Sequence, residues 1–187
     1  MSAAAGVHPE CAATEAPWRS EMAQSLLLHE TESPFVRAAH ARVDLRTERP
    51  FQLVDVTAIV AERVRRSGVA LGTASVQSRH TTAGLFLNEN EPLLLADIEA
   101  FLRRLAPPGA LYRHDQLEAR EGPVAVDERP NGQAHLQSLL VPSSLSLNVV
   151  DGELDLGRWQ SVFLAELDGP RTRSLSIVVA GVAARPR

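Results

Sequence analysis

A chain of 187 residues, 44% of them hydrophobic, is long enough for one domain with a sizeable core. Its formal charge of -4, with acids and bases interspersed, offers no basic face to nucleic acid and no charged block to a membrane; no apolar run nears the roughly 20 residues of a spanning helix. A single cysteine, Cys11, excludes an intrachain disulfide framework, and the N-terminus lacks a secretory pattern, so the expected compartment is the cytoplasm and the expected partners are small molecules and further copies of the chain.

Residues 1–34 are rich in Ala, Glu, Ser and Pro without a sustained period and read as a flexible extension, in which Leu26, Leu27 and Leu28 could dock as a short element; residues 35–187 read as the domain. From Phe35 to Leu45 partial alternation predicts an edge or outer strand, with His40 on its surface. Val56, Ile59, Val60 and Val64 fall at helical spacing behind a cap at Asp55 or Thr57, and Gly68 supplies the stop. Val69–Val76 and Leu85–Leu87 read as strands around His80-Thr81-Thr82-Ala83-Gly84. Pro92 opens a second helix, whose apolar stripe is Leu94, Ile98, Phe101 and Leu105 and whose end is Pro107-Pro108-Gly109. A long polar loop follows and gives way at His135 to the apolar run Leu136–Val141. The remainder reads as an antiparallel meander: Ser144–Val150, the hairpin turn Asp151-Gly152, Trp159–Leu167, the turn Asp168-Gly169-Pro170, then Arg173–Ala180. Two main helices among largely antiparallel or mixed strands define an α+β domain.

Polar groups crowded at strand ends mark the first place to look for a site. His80, His114 and His135 stand at predicted element ends beside Thr, Asp, Asn and Gly. Three imidazoles from separate segments can meet on one metal and leave a position for water or substrate; with this spacing, three separate structural hydrogen bonds are the plainer outcome. Glu166, a charge on a mostly apolar strand, needs water or a partner, and serves either as base or ligand or in a salt bridge to Arg171 or Arg173. Arg171, beside Gly169-Pro170, has the planar fork that suits a phosphate. No dinucleotide, P-loop, Cys-x-x-Cys or G-x-S-x-G motif is present.

Several segments together resemble one family. His80-Thr-Thr-Ala-Gly84 with Leu87-Asn-Glu-Asn90, Tyr112-Arg-His114, Asn131-Gly-Gln-Ala-His135, Leu156-Gly-Arg-Trp-Gln160 and Leu167-Asp-Gly-Pro-Arg171 are similar, in this order, to the YjbQ family of secondary thiamine-phosphate synthases, over about Phe35 to Gly181. The resemblance implies a compact α+β fold, a homotrimer, and His80, His114 and His135 lying close together. It further implies weak condensation of hydroxymethylpyrimidine diphosphate with thiazole phosphate. His80, His114, His135 and Glu166 would be catalytic, with the three histidines either on a divalent metal such as zinc or magnesium or serving as acids and bases. Thr81, Thr82, Asn88 and Arg171 would bind the phosphorylated substrate. The alternative is a non-catalytic trimer that binds a phosphorylated metabolite or a metal. Three residues depart from the family's habits: Pro142 replaces a Gly, Gln137 a frequent Lys and Arg158 a frequent Thr. A proline has no N–H, so any anion contact made by that glycine's amide would be lost here.

Overall fold

A computed structural model describes residues 36–121, 124 and 128–183; the expected N-terminal extension, with Cys11 and Leu26–Leu28, lies outside them. β1 (Val36–Arg46) turns Ala39, Ala41, Val43 and Leu45 inward and is an edge strand, as its alternation predicts. A short β2 (Gln52–Asp55) leads into α1 (Thr57–Ser67), which buries Val60 and Val64 and ends at Gly68 in the left-handed conformation (φ 69°). Neither predicted cap residue caps this helix from its side chain. Asp55 Oδ1 accepts the Thr57 N–H at 2.8 Å, and Thr57 Oγ1 accepts the N–H of Val162 instead.

β3 (Val69–Ser78) and β4 (Ala83–Asn88) flank the His80 turn, and α2 (Pro92–Leu105) and α3 (Gly132–Ser138) follow. β5 (Ser144–Val150), β6 (Glu153–Leu154), β7 (Ser161–Glu166) and β8 (Thr172–Ala183) are the remaining strands among the described residues. All pairings are antiparallel, in two sheets ordered β1-β8-β3-β5-β6 and β2-β7-β4. The α+β class holds, but the C-terminal third is not a meander. β3 stands between β5 and β8, and β7 joins the other sheet, because β7 is apolar on both faces and needs a layer on each side. Val162 and Leu164 enter a core shared by α1 and both sheets; Ala165, with Leu167 just beyond the strand, enters a second core with Phe51, Leu102, Ala134 and Val141 under α2 and α3.

Two further differences concern the helices. The run entered at His135 forms α3, a third and shorter helix. On α2 the buried ridge runs from Leu94 and Ile98 to Leu102 and Ala106, whereas Phe101 (47% exposed) and Leu105 (53%) face out. With 3.6 residues per turn the buried face centres near Leu102, so Phe101 and Leu105 fall at its solvent edge on the side of Leu94.

Candidate functional site

Two of the chain's passages between the sheets lie together at one end: residues 79–82 carry it from β3 to β4, and residues 167–171 carry it from β7 back to β8. Register puts these crossovers side by side, since Ser78 pairs with Leu175 and Ala83 with Glu166. The Leu167 N–H donates to Thr82 O (3.2 Å) and the Arg79 N–H to Ser174 O (3.2 Å), which ties them together. Gly84 permits the approach of the next segment: a Cβ there would stand 2.6 Å from Val141 Cγ1 and 2.7 Å from Val141 O.

Beneath the crossovers lies a buried ion pair. Glu166, 0% exposed, accepts from Arg173 Nε at 2.6 Å and Nη2 at 2.5 Å, from Thr47 Oγ1 at 2.8 Å and from the Asp168 N–H at 2.8 Å. Arg173 Nη2 also donates to Thr82 Oγ1 (3.0 Å) and Thr82 O (3.3 Å). Glu166 is thus the partner of Arg173, the salt-bridge alternative, and is not itself among the residues lining the cleft, although Arg173 is. Burying a carboxylate in the core demands a full set of donors, and the guanidinium fork, a hydroxyl and an amide supply them.

Above this pair opens a cleft of about 810 Å³, lined among others by His80, Thr81, Thr82, His114, His135 and Arg171. The structure therefore brings together all three predicted histidines and three of the four predicted substrate contacts. The segment holding His114 is fixed to α3 by Asp115, whose Oδ1 accepts the N–H groups of Asn131 (2.9 Å) and Gly132 (2.8 Å). The two imidazole rings then meet edge to face, 4.5 Å between centroids. Gly132 allows this, because a Cβ there would lie 2.5 Å from Tyr112 Cβ.

His80 meets the β7–β8 side: its Nε2 accepts the Ser174 N–H at 2.7 Å. The backbone amide can only donate, so the neutral ring carries its proton on Nδ1. Burial, then the charge of Arg173, holds His80 below the ordinary 6.5, against weaker opposing effects of Glu166 and Asp44. His135 is also held below 6.5, first by burial and then by His114, with Asp168 acting the other way. The rings are thus neutral near pH 7.

This arrangement does not fit the expected three-histidine metal site. With Nε2 accepting a hydrogen bond and Nδ1 protonated, His80 has no lone pair for a cation. Among the described residues, no group of three or more His, Cys, Asp or Glu side chains is arranged to hold a metal ion.

Asp168, two residues beyond Glu166, stands at the cleft wall and is held by Arg129 Nε (3.1 Å), Asn131 Nδ2 (2.9 Å) and Arg171 Nε (3.0 Å). Arg171, with 30% of its side chain exposed, is oriented by that carboxylate while facing the cleft. Arg79 also lines the cleft, as does Arg120, which is paired with Glu128. Arg79 and Asp115 escape a reading by motif, whereas Arg173 is one of the two salt-bridge partners expected for Glu166. Arg173 had a signal, as a charge at a strand end between apolar alternation and a turn; Asp115 had one as a short acceptor one residue beyond His114.

Asn88 is corrected as a substrate contact. It lies at the opposite end of β4, paired with Ser161, and its Oδ1 accepts the Glu89 N–H at 2.9 Å. The three departures also lie off the cleft. Gln137 donates to Leu102 O (3.3 Å) and Ala106 O (3.0 Å) at the end of α2. Pro142 offers its carbonyl to Leu85 N (2.7 Å), and Arg158 stacks on Trp159, 4.7 Å from the ring centre.

Fold and site define a small α+β domain of two antiparallel sheets with an arginine- and histidine-lined cleft at one sheet end. The profile of the family described as UPF0047 protein YjbQ-like matches residues 41–182, and the chain belongs to this family. It is 40% identical over 147 residues to a UPF0047 protein of Methanothermobacter thermautotrophicus, covering 79% of this chain and 95% of the relative. The UPF0047 protein YugU of Bacillus subtilis is 31% identical over 140 residues, covering 74% and 97%. Among solved structures, a YbjQ-like protein of unknown function from Sulfolobus solfataricus superposes with a TM-score of 0.70 at 30% identity, covering 79% of this chain and 99% of that one. A hypothetical protein of Aeropyrum pernix gives 0.68 at 34%, covering 76% and 98%. Among the described residues no helix is long and apolar enough to cross a membrane.

Proposed function

We propose that the cleft binds a phosphorylated small molecule and promotes displacement of its diphosphate, with weak thiamine-phosphate synthase activity as the reaction to assay. In that reaction the thiazole ring nitrogen forms a bond to the pyrimidine methylene carbon as the carbon–oxygen bond to diphosphate breaks, giving thiamine phosphate and pyrophosphate. Negative charge gathers on the leaving group, and preoriented cations and donors stabilise it. The observation that carries this reading is the meeting of Arg79, Arg171, Thr81 and the three histidines in one cleft. Arg171 is held in place by Asp168, so little freedom is lost when it engages a phosphate. His135, held below its ordinary pKa, supplies a neutral imidazole as a proton carrier beside the His114 ring, and no step passes through a metal. The homotrimer is part of this proposal, supported by the outward stripe Leu93, Phe101 and Leu105 on α2; sedimentation equilibrium measures it.

Incubating the full chain with hydroxymethylpyrimidine diphosphate and thiazole phosphate, and separating thiamine phosphate by chromatography, tests the reading. Formation that is abolished in His135→Ala supports it. Diphosphate binding without product, under conditions where a control synthase turns over, selects instead the non-catalytic module. That reading is favoured by the internal pairing of Arg120 with Glu128 and Arg171 with Asp168, which leaves less free positive charge for a transition state.

A further inference from the structure

The polar cleft has an apolar neighbour. A second cavity of about 460 Å³ adjoins it and shares His80, Thr81 and His135 as a common wall. Its remaining lining is mainly hydrocarbon: Ala83 and Val141 are buried, whereas Leu136 (47% exposed) and Leu139 (80%) project from α3 and the residue after it into solvent. Of its two serines, Ser138 already donates to the His135 carbonyl at 2.8 Å. Leucines left in water beside a charged cleft, with only imidazoles and a threonine between, form a two-part surface: one part for anionic oxygen, the other for hydrocarbon.

Resting on the phosphate reading of the cleft, we infer that this annex is a subsite for the uncharged hydrocarbon portion of the same ligand. The preferred ligands are then phosphate esters of apolar or aryl alcohols, rather than sugar phosphates. A ribose hydroxyl placed against the buried Ala83 and Val141 would lose its water without gaining a partner from them, while an aryl ring there leaves water at a gain.

Calorimetric titration of the full chain with inorganic phosphate, ribose 5-phosphate and phenyl phosphate at fixed pH and ionic strength tests this. Phenyl phosphate is expected to bind about tenfold tighter than inorganic phosphate, and ribose 5-phosphate no tighter than phosphate. In Leu139→Ser, a change at an exposed position that the fold tolerates, the ratio of phenyl phosphate to phosphate affinity should fall towards one. Equal affinity of the wild-type chain for phenyl and inorganic phosphate overturns the subsite while leaving the phosphate cleft standing. If none of the three binds, the cleft reading itself fails and the subsite with it. If Leu139→Ser changes the sedimentation coefficient and leaves the ratio intact, the leucines form a contact between copies and the inference is wrong.

Discussion

Glu166 and Asp168 are separated by one residue, and each is paired with an arginine on the strand or turn that follows, but their surroundings differ. Glu166 still belongs to β7 and projects with Val162 and Leu164 towards the inter-sheet core, where Arg173 (3% exposed) and Thr47 (0%) enclose it. Asp168 has left the strand and stands at the cleft wall, where it holds Arg171 partly in solvent. The same chemical pair is therefore a structural anchor in one place and a support for a ligand-facing cation in the other. Exposure of the arginine separates the two roles, since both carboxylates are buried but Arg171 keeps 30% of its side chain in solvent whereas Arg173 is 3% exposed.

The largest expected effect tests the anchor. Glu166→Gln leaves Arg173 charged and underpaired in the core and should cost about 3–5 kcal/mol in urea denaturation. Replacing both partners, as Glu166→Leu with Arg173→Met, should recover much of that loss; a single variant costing under ~1 kcal/mol would break the distinction between the pairs. The converse holds for the cleft pair: Arg171→Ala should weaken diphosphate binding about 10- to 100-fold by calorimetry, consistent with a lost charge-assisted hydrogen bond of ~1.5–3 kcal/mol. Its effect on stability should be small, since Arg171 is partly solvated.

Protonation sharpens the comparison. His80 and His135 are held below 6.5 in the folded chain, mainly by burial, so the unfolded chain takes up protons first as pH falls. Their contribution is fully present above 6.5 and is lost as pH drops from there through the lower folded values. Melting temperature should rise between about pH 5 and 7 and rise less in His80→Gln, whose side chain cannot titrate. A wild-type slope of opposite sign would show these rings charged in the folded protein. The smallest effect is expected at Asn88→Ala, which should change diphosphate affinity less than twofold and stability by under ~0.5 kcal/mol, because this exposed residue lies at the far end of β4. A larger loss of affinity would mean that the ligand contacts both ends of the sheet.

Local chemistry made much of this legible. The alternation in β1, the Pro92 start of α2 and the Asp151-Gly152 hairpin each depend on neighbours in sequence, so each could be read from the chain. His80, His114, His135 and Arg171 could be nominated because polar groups at element ends have few structural reasons to cluster. Other features depend on contacts distant in sequence. Whether Glu166 faces the cleft or anchors the core turned on Arg173 and Thr47, the latter 119 residues away. Whether His80 could hold a metal turned on the Ser174 amide, 94 residues away. Asn88 carried the same kind of motif signal as Thr82, yet strand length placed it at the wrong end of the sheet. Residue types and periods thus determined the candidates and most elements; strand order and register decided which candidates meet, because a side chain's partners are set by which backbones are adjacent.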